Sequence, residues 1–199
     1  MIPDAPPLLT GRDIRLEPLT RAHIPALIEV GLAPDLWQWT VGQVRTAADM
    51  TAYVETALEE QRLGRSLPYA TVDRVSGRVI GSTRFGSIER HHRRVEIGWT
   101  WLAPAWQRTA ANTEAKYLML RCAFETMDCM RVELKTDRLN ERSRTAIRRI
   151  GAVEEGTLRS HMVTESGRVR DTVYYSIVAA EWPEARTRLE ARLAAGIRA

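Results

Sequence analysis

Residues 93–128 constrain the fold most, because RVEIGWTWLAPAW runs through the loop QRTAAN straight into TEAKYLMLRCAFETMD. Val95, Ile97, Trp99 and Trp101 alternate with Glu96 and Gly98, the period of a strand, until Pro104 stops the pattern. Ala115, Leu118, Met119, Cys122 and Ala123 then recur as one buried helical stripe. A strand that delivers a loop of small residues onto a helix N-terminus offers free backbone N–H groups to an anion, and this is how proteins hold phosphates.

The rest of the chain limits what that unit can belong to. With 199 residues, 44% of them hydrophobic, one good core is expected and a second full domain would be cramped, so residues 1–199 are read as a single domain. No run approaches the ~18 to 20 apolar residues of a membrane span, and MIPDAPPLLTGRD lacks the basic and apolar regions of a signal peptide. A cytoplasmic protein without a membrane partner is the expectation. Cys122 and Cys129 have no CxxC spacing and no neighbouring histidine, so no metal site is expected and Cys122 reads as helix core. The net charge of +4, from 29 basic and 25 acidic residues, weakly favours anionic ligands. A nucleic-acid binder would use the arginines, yet acids interleave them and no helix-turn-helix, zinc-finger or RNP pattern is present, so no nucleic-acid partner is expected.

Before the central unit, IRLEPL from Ile14 alternates as a strand, and Thr20 opens an amphipathic run through Ile24, Leu27 and Ile28. Ala47 to Leu63 reads as a helix broken by Gly64, and Pro68 to Asp73 and Arg78 to Glu89 as a hairpin turning at Ser76-Gly77. After it come a strand over Met130 to Asp137, a helix opened by Asn140 and ended by Gly151, and two strands, Val153 to Val163 and Val169 to Val178. A C-terminal helix starts at about residue 181, near Trp182-Pro183. The order β-α-α-β-β-β-α-β-α-β-β is mixed α/β around a mostly antiparallel sheet of six to seven strands, flanked by helices.

EIGWTWLAPAW, NTEA, LKTDRLNERS and RRIGAVEEGTLR, in this order of elements, resemble the GNAT superfamily of N-acetyltransferases, and within it the ribosomal-protein N-terminal (Rim-type) branch. The resemblance covers nearly the whole chain. It implies an acyltransferase that takes acetyl-CoA as co-substrate, needs no metal, and acts on an amine acceptor; it also leaves a homodimer open. The superfamily's acyl-CoA loop reads Arg/Gln-x-x-Gly-x-Gly/Ala, which falls on Gln107, Ala110 and Asn112, so both glycines are missing. Ala110 costs little if the loop is right-handed there, and Asn112 suits a left-handed or capping position. By the resemblance the cofactor would meet Trp101, Leu102 and Ala103 at the strand end, Gln107, Arg108, Thr109, Ala110, Ala111, Asn112 and Thr113 in the loop and first helical turn, and Asn140 on the later helix.

The chemistry needs a base for the amine, a donor for the developing oxyanion and a donor for the departing thiolate. Glu96 is the candidate base, with a purely structural role beside Arg84 or Arg94 equally open. Leu102 or Ala103 offers an N–H to the oxyanion. The tyrosine that many relatives carry seven residues after the helix-opening asparagine is Ile147 here, so Ser143 inherits the donor role from the Rim-type pattern. Glu114 reads as serving its helix dipole. Arg142, Arg144, Arg148 and Arg149 read mostly as a solvated face. Trp37 and Trp39 are either lid core or an aromatic wall for the acceptor, and Tyr174 and His161 are candidates to face the same cleft. A CoA-sensing module without turnover is the alternative to an enzyme.

Overall fold

The computed structural model describes residues 1–196; the last three residues of the expected domain lie outside it. Its elements in chain order are β1 (Leu9–Thr10), β2 (Ile14–Pro18), α1 (Ile24–Gly31), α2 (Ala47–Arg62), β3 (Leu67–Asp73), β4 (Val79–Glu89), β5 (Arg94–Leu102), α3 (Ala111–Arg121), β6 (Arg131–Asp137), α4 (Glu141–Arg149), β7 (Val153–Val163), β8 (Val169–Val178) and α5 (Trp182–Ala194). All the strands join one sheet of eight in the order β1-β2-β3-β4-β5-β6-β8-β7. The expected six to seven strands become eight. Two-residue β1, too short for a hydrophobic period to mark, supplies the extra edge. Only β5 and β6 run parallel, because α3 carries the chain back between them.

Alternation along β3 divides its side chains between two cores. Leu67 and Tyr69 on β3, Leu134 on β6 and Tyr175 on β8 face a large core with α3, α4 and α5. Ala70 and Val72 turn to the other face, where Leu27 of α1 and Met50, Val54 and Ala57 of α2 cover the sheet. Both cysteines are buried, and burial pushes each thiol up to about 11, as core thiols should be. Strand β7 closes the far edge with every residue but Met162 exposed.

Glu114 fastens the N-terminal hairpin to the head of α3. Its carboxylate accepts the backbone N–H groups of Arg12 at 2.5 Å, Asp13 at 2.9 Å and Ile14 at 2.9 Å. Gly11 makes room for it, since a Cβ there would stand 2.6 Å from the carboxylate carbon. The expected helix-dipole role is therefore secondary to a clamp on three donors about a hundred residues earlier in the chain.

Candidate active site

Strand β5 pairs with β6 only at Arg94↔Arg131, Val95↔Val132 and Glu96↔Glu133, after which β6 goes on with β8 alone. From Ile97 onward β5 has no neighbour on that side, so the sheet opens in the middle. On its other side the register shifts between Ser82↔Trp101 and Arg84↔Gly98, which puts one extra residue into β5. Trp99 sits at this bulge with φ 50°.

The bulge corrects the expected alternation. Val95, Ile97 and Leu102 share the α3-side core, whereas Trp101 packs in the α1/α2 core, its ring 5.6 Å from that of Trp37. Trp99, 41% exposed, lies over Gly86 and under Arg84, whose guanidinium is 4.8 Å from its ring. Glu96 therefore shares its face with both tryptophans and does not oppose them. The bulge also turns exposed Thr100 toward α3, where its hydroxyl meets Lys116 and Thr83.

The register also sorts the candidate backbone donors. Ala103 N–H donates to Ile80 O at 2.8 Å, which makes Gly81↔Leu102 a non-hydrogen-bonded pair and points the Leu102 N–H and C=O away from β4 into the opening. Ala103 is thus not available to an oxyanion, and the Trp101 side chain is core. Leu102 retains the expected place. Gln107 closes the mouth, donating to Leu102 O at 3.0 Å and accepting from Arg142 of α4 at 2.7 Å. Arg142 stays exposed, as expected of the solvated face, but is tied to the loop.

In the loop, Ala110 is right-handed, φ −64° and ψ −22°, and needs no glycine. The left-handed residue is Arg108, φ 62°, exposed and without an ion-pair partner among the described residues. Asn112 lies inside the first turn of α3, so the capping or left-handed role expected of it does not hold. Thr109 Oγ1 accepts from Ala111 N–H at 3.2 Å. Among the described residues, the N–H groups of Arg108, Thr109, Ala110, Asn112 and Thr113 have no acceptor, which is the donor set that an anion at a helix N-terminus uses.

Across the opening, Glu96 is buried, with Ser87 Oγ donating to it at 2.9 Å and Lys135 Nζ at 2.9 Å. Neither expected partner is there: Arg84 pairs with Glu60 and Arg94 with Glu133. Burial works against charge on Lys135, but Glu96 outweighs it and holds the amine above its usual value. Gly98 keeps the space beside this carboxylate, since a Cβ would lie 2.9 Å from Glu96 Oε1. Tyr174 lies under Lys135, 5.6 Å from ring centre to Nζ, and against His161.

The segment 33–43 between α1 and α2, which forms a lid, and the β7–β8 turn close over this region together. Gln43 N–H donates to Glu165, and Glu165 N–H to Val41 O. Arg168 stacks on half-buried Trp39 and bonds buried Asp137 at the end of β6. Trp37 is 4% exposed and donates its indole N–H to Gly31 O, so it is lid core and offers no wall to a ligand. Asn140 caps α4 by accepting Ser143 N–H at 3.0 Å, leaving half-buried Ser143 Oγ without a partner among the described residues. Arg144 and Arg148 are engaged by Glu141 and Glu154.

The sequence reading passed over Lys116, Thr100, Ser87, Lys135 and Asp137. Only Lys116 carried a local signal: a lysine inside the apolar stretch of α3, now 6% exposed. Burial alone brings its amine down to about 7.

The family model for the acetyltransferase (GNAT) domain matches residues 13–153. The chain belongs to the GNAT acetyltransferase family. A GCN5-related N-acetyltransferase from Brucella melitensis is 31% identical with a TM-score of 0.86, over 94% of this chain and 85% of its own. "Putative ribosomal N-acetyltransferase YdaF" of Bacillus subtilis is 32% identical over 53% of this chain, which spans only 57% of that relative's length. Mycobacterium smegmatis RimJ, solved with CoA-disulfide, shares the fold at a TM-score of 0.82 and 24% identity, over 96% of this chain and 97% of its own. The Rim-type placement agrees with these relatives. Among the described residues no helix is long and apolar enough to cross a membrane, and no group of His, Cys, Asp and Glu could hold a metal ion.

Proposed function

We propose that the protein moves an acetyl group from acetyl-CoA to a primary amine, a protein N-terminus or a small-molecule amine, by direct attack with both substrates bound. The observation that carries this is the opening beside β5, which ends in the five unpaired N–H groups of residues 108–113. These residues fit the co-substrate: the N–H groups and the end of α3 suit the pyrophosphate, Arg108 suits a further phosphate, and Leu102 N–H faces the opening where the arm would run. When bound, acetyl-CoA supplies an activated thioester carbonyl.

Glu96 takes the proton of the attacking amine, directly or through water, while Lys135 and Ser87 fix the orientation of its carboxylate. Leu102 N–H stabilises the charge that grows on oxygen. Ser143 hydrogen-bonds the departing sulfur from the head of α4, beside Asn140. Trp39 and Tyr174 border the acceptor. An α-amino group is roughly ten percent neutral at pH 7 and a lysine below about 0.1 percent, so this base suits the former better. CoA sensing without turnover drew its support from the missing glycines, and Ala110 needs none in its right-handed conformation.

Calorimetry with acetyl-CoA should give micromolar binding. Thiol release with N-terminal peptides, polyamines and aminoglycosides then separates enzyme from sensor. Glu96→Gln should lower the rate and move its pH profile upward; an unchanged profile removes Glu96 as the base.

A further inference from the structure

One buried ionisable group has no part in the chemistry above. Lys116 of α3 is nearly sealed from solvent, and its Nζ donates to Thr100 Oγ1 at 2.5 Å. Its other surroundings are neutral. Thr83 Oγ1 of β4 lies 2.8 Å from Thr100 Oγ1, and Thr83 in turn touches the Met119 sulfur one turn along α3. Glu114 on the same helix turns away to the β1–β2 hairpin, and Tyr117 to Glu190 of α5. Among the described residues no carboxylate or second cation acts on the amine, and burial lowers its basicity.

A lysine in dry surroundings with only hydroxyl partners is poorly stabilised as a cation until an anion comes near. The opening in which a departing thiolate would form lies next door. Thr100 is the exposed residue that the bulge turns to the α3 side of β5, in the stretch that β6 has left. Its own hydroxyl has a long bond to Gly98 O, 3.3 Å, and shares one proton with Thr83 Oγ1 at 2.8 Å. With Thr83 and Lys116 both donating to Thr100 Oγ1, the Thr100 proton can turn into the opening. Ser143 has no acid behind it among the described residues, and a serine hydroxyl orients a thiolate more readily than it supplies a proton at neutral pH.

We infer that Lys116, acting through the Thr100 hydroxyl, is the source of the proton that neutralises the departing CoA thiolate. This rests on the acetyl-transfer function proposed above. As the amine nitrogen bonds the acetyl carbon, the C–S bond breaks and its electron pair goes to sulfur. Thr100 Oγ1 gives its proton to sulfur and takes one from Lys116 Nζ. The amine's proton leaves by Glu96, and solvent reprotonates Lys116 between turnovers. Lys116 holds the proton at a value near neutrality, below the ~8.5 of a free thiol, so the transfer runs downhill.

The test uses Lys116→Met, which keeps length and removes charge, and Thr100→Val, which removes only the relay. Calorimetry first checks acetyl-CoA binding; without it in the wild type, the acetyl-transfer reading fails and this inference with it. Where binding holds, wild-type kcat at saturation should fall on the alkaline side as Lys116 loses its proton. Both variants should lose that limb and about ten- to a hundredfold in kcat, with little change in KM for acetyl-CoA, and the double variant should lose no more than either single one. A second readout needs no turnover: in melts against pH the wild type should gain stability over Lys116→Met from about pH 7 upward, as an amine that gives up its proton near neutrality requires. Ser143→Ala should retain the alkaline limb. If Lys116→Met and Thr100→Val bind acetyl-CoA yet keep the alkaline limb, or if the melts show no gain with pH, the proton comes from elsewhere and the inference is overturned.

Discussion

The clamp made by Glu114 offers the cleanest test of how a distant pair holds this fold. Its carboxylate accepts three backbone N–H groups and is 4% exposed. Ile14 is fully buried, so Glu114→Ala strands its N–H without water, at about 1 to 3 kcal/mol. Arg12 and Asp13 lie at a partly exposed turn where water can substitute, at about 0.5 to 1 kcal/mol each. The sum is about 2 to 5 kcal/mol, which for a chain of this size lowers Tm by roughly 10 °C. Glu114→Gln keeps the packing but turns an amide donor toward three donors, and should cost about 2 kcal/mol. Gly11→Ala attacks the same clamp from the other side, since its Cβ would stand 2.6 Å from the Glu114 carboxylate.

Thermal and urea melts followed by circular dichroism measure all three variants. The Gly11→Ala and Glu114→Ala costs should fall well short of adding, because each removes what the other needs. A dipole role alone predicts no more than about 1 kcal/mol for Glu114→Ala, with full additivity. That result would refute the clamp.

Arg108→Gly should leave stability within about 1 kcal/mol of wild type, since relief at φ 62° offsets the added chain freedom. It should nevertheless weaken acetyl-CoA binding several-fold by calorimetry, while Ala110→Gly should cost about 0.5 to 1 kcal/mol in melts because φ −64° has no use for glycine. Trp37→Ala should cost about 3 to 5 kcal/mol as a core truncation, whereas Trp39→Ala should stay near wild type in melts and raise KM for the acceptor. Lys116 carries the pH dependence. Its amine titrates lower folded than unfolded, so the unfolded chain binds more protons from about pH 7 to about 10 and stability rises with pH across that window. Melts of wild type against Lys116→Met should show the difference changing by about a factor of ten in the folding constant per pH unit, in favour of wild type as pH rises; a constant difference refutes it.

The order of elements could be read in the sequence because the stripe of α3 repeats every three and four residues, β2 alternates, and turn residues such as Ser76-Gly77 and Gly151 mark the breaks. The loop and the head of α3 were legible for the same reason, since a strand, a break at Pro104 and a helical stripe must place free N–H groups between them. Partners were not legible. Nothing local at Glu114 announces donors at residues 12–14, and nothing at Glu96 selects Lys135 over Arg84 or Arg94, because each choice is made by strand neighbours distant in sequence. Trp37 and Trp39 could not be told apart either. Two positions apart in a 3₁₀ turn and its exit, they differ only in which of them the lid folds inward.

The largest departure from the sequence reading has one cause, the extra residue in β5. Period two assigns Trp99 and Trp101 to the face of Val95, and a single inserted position reverses everything after it. Trp101 then goes to the lid core, which locks α1 and the following segment against the sheet through Trp37. Thr100 goes to the α3 face, where it meets Lys116 at the rim of the opening. Leu102 regains the parity of Val95 in the core while its backbone faces the place that β6 has vacated. A regular strand would have turned Thr100 toward the lid and taken from Lys116 the hydroxyl that borders the opening. The backbone distortion at Trp99 thus gives β5 two tasks within four residues, securing the lid on one side and presenting a proton-bearing hydroxyl on the other. Deleting Trp99 should restore the regular register and cost both at once, which separates this bulge from one that merely ends a pairing.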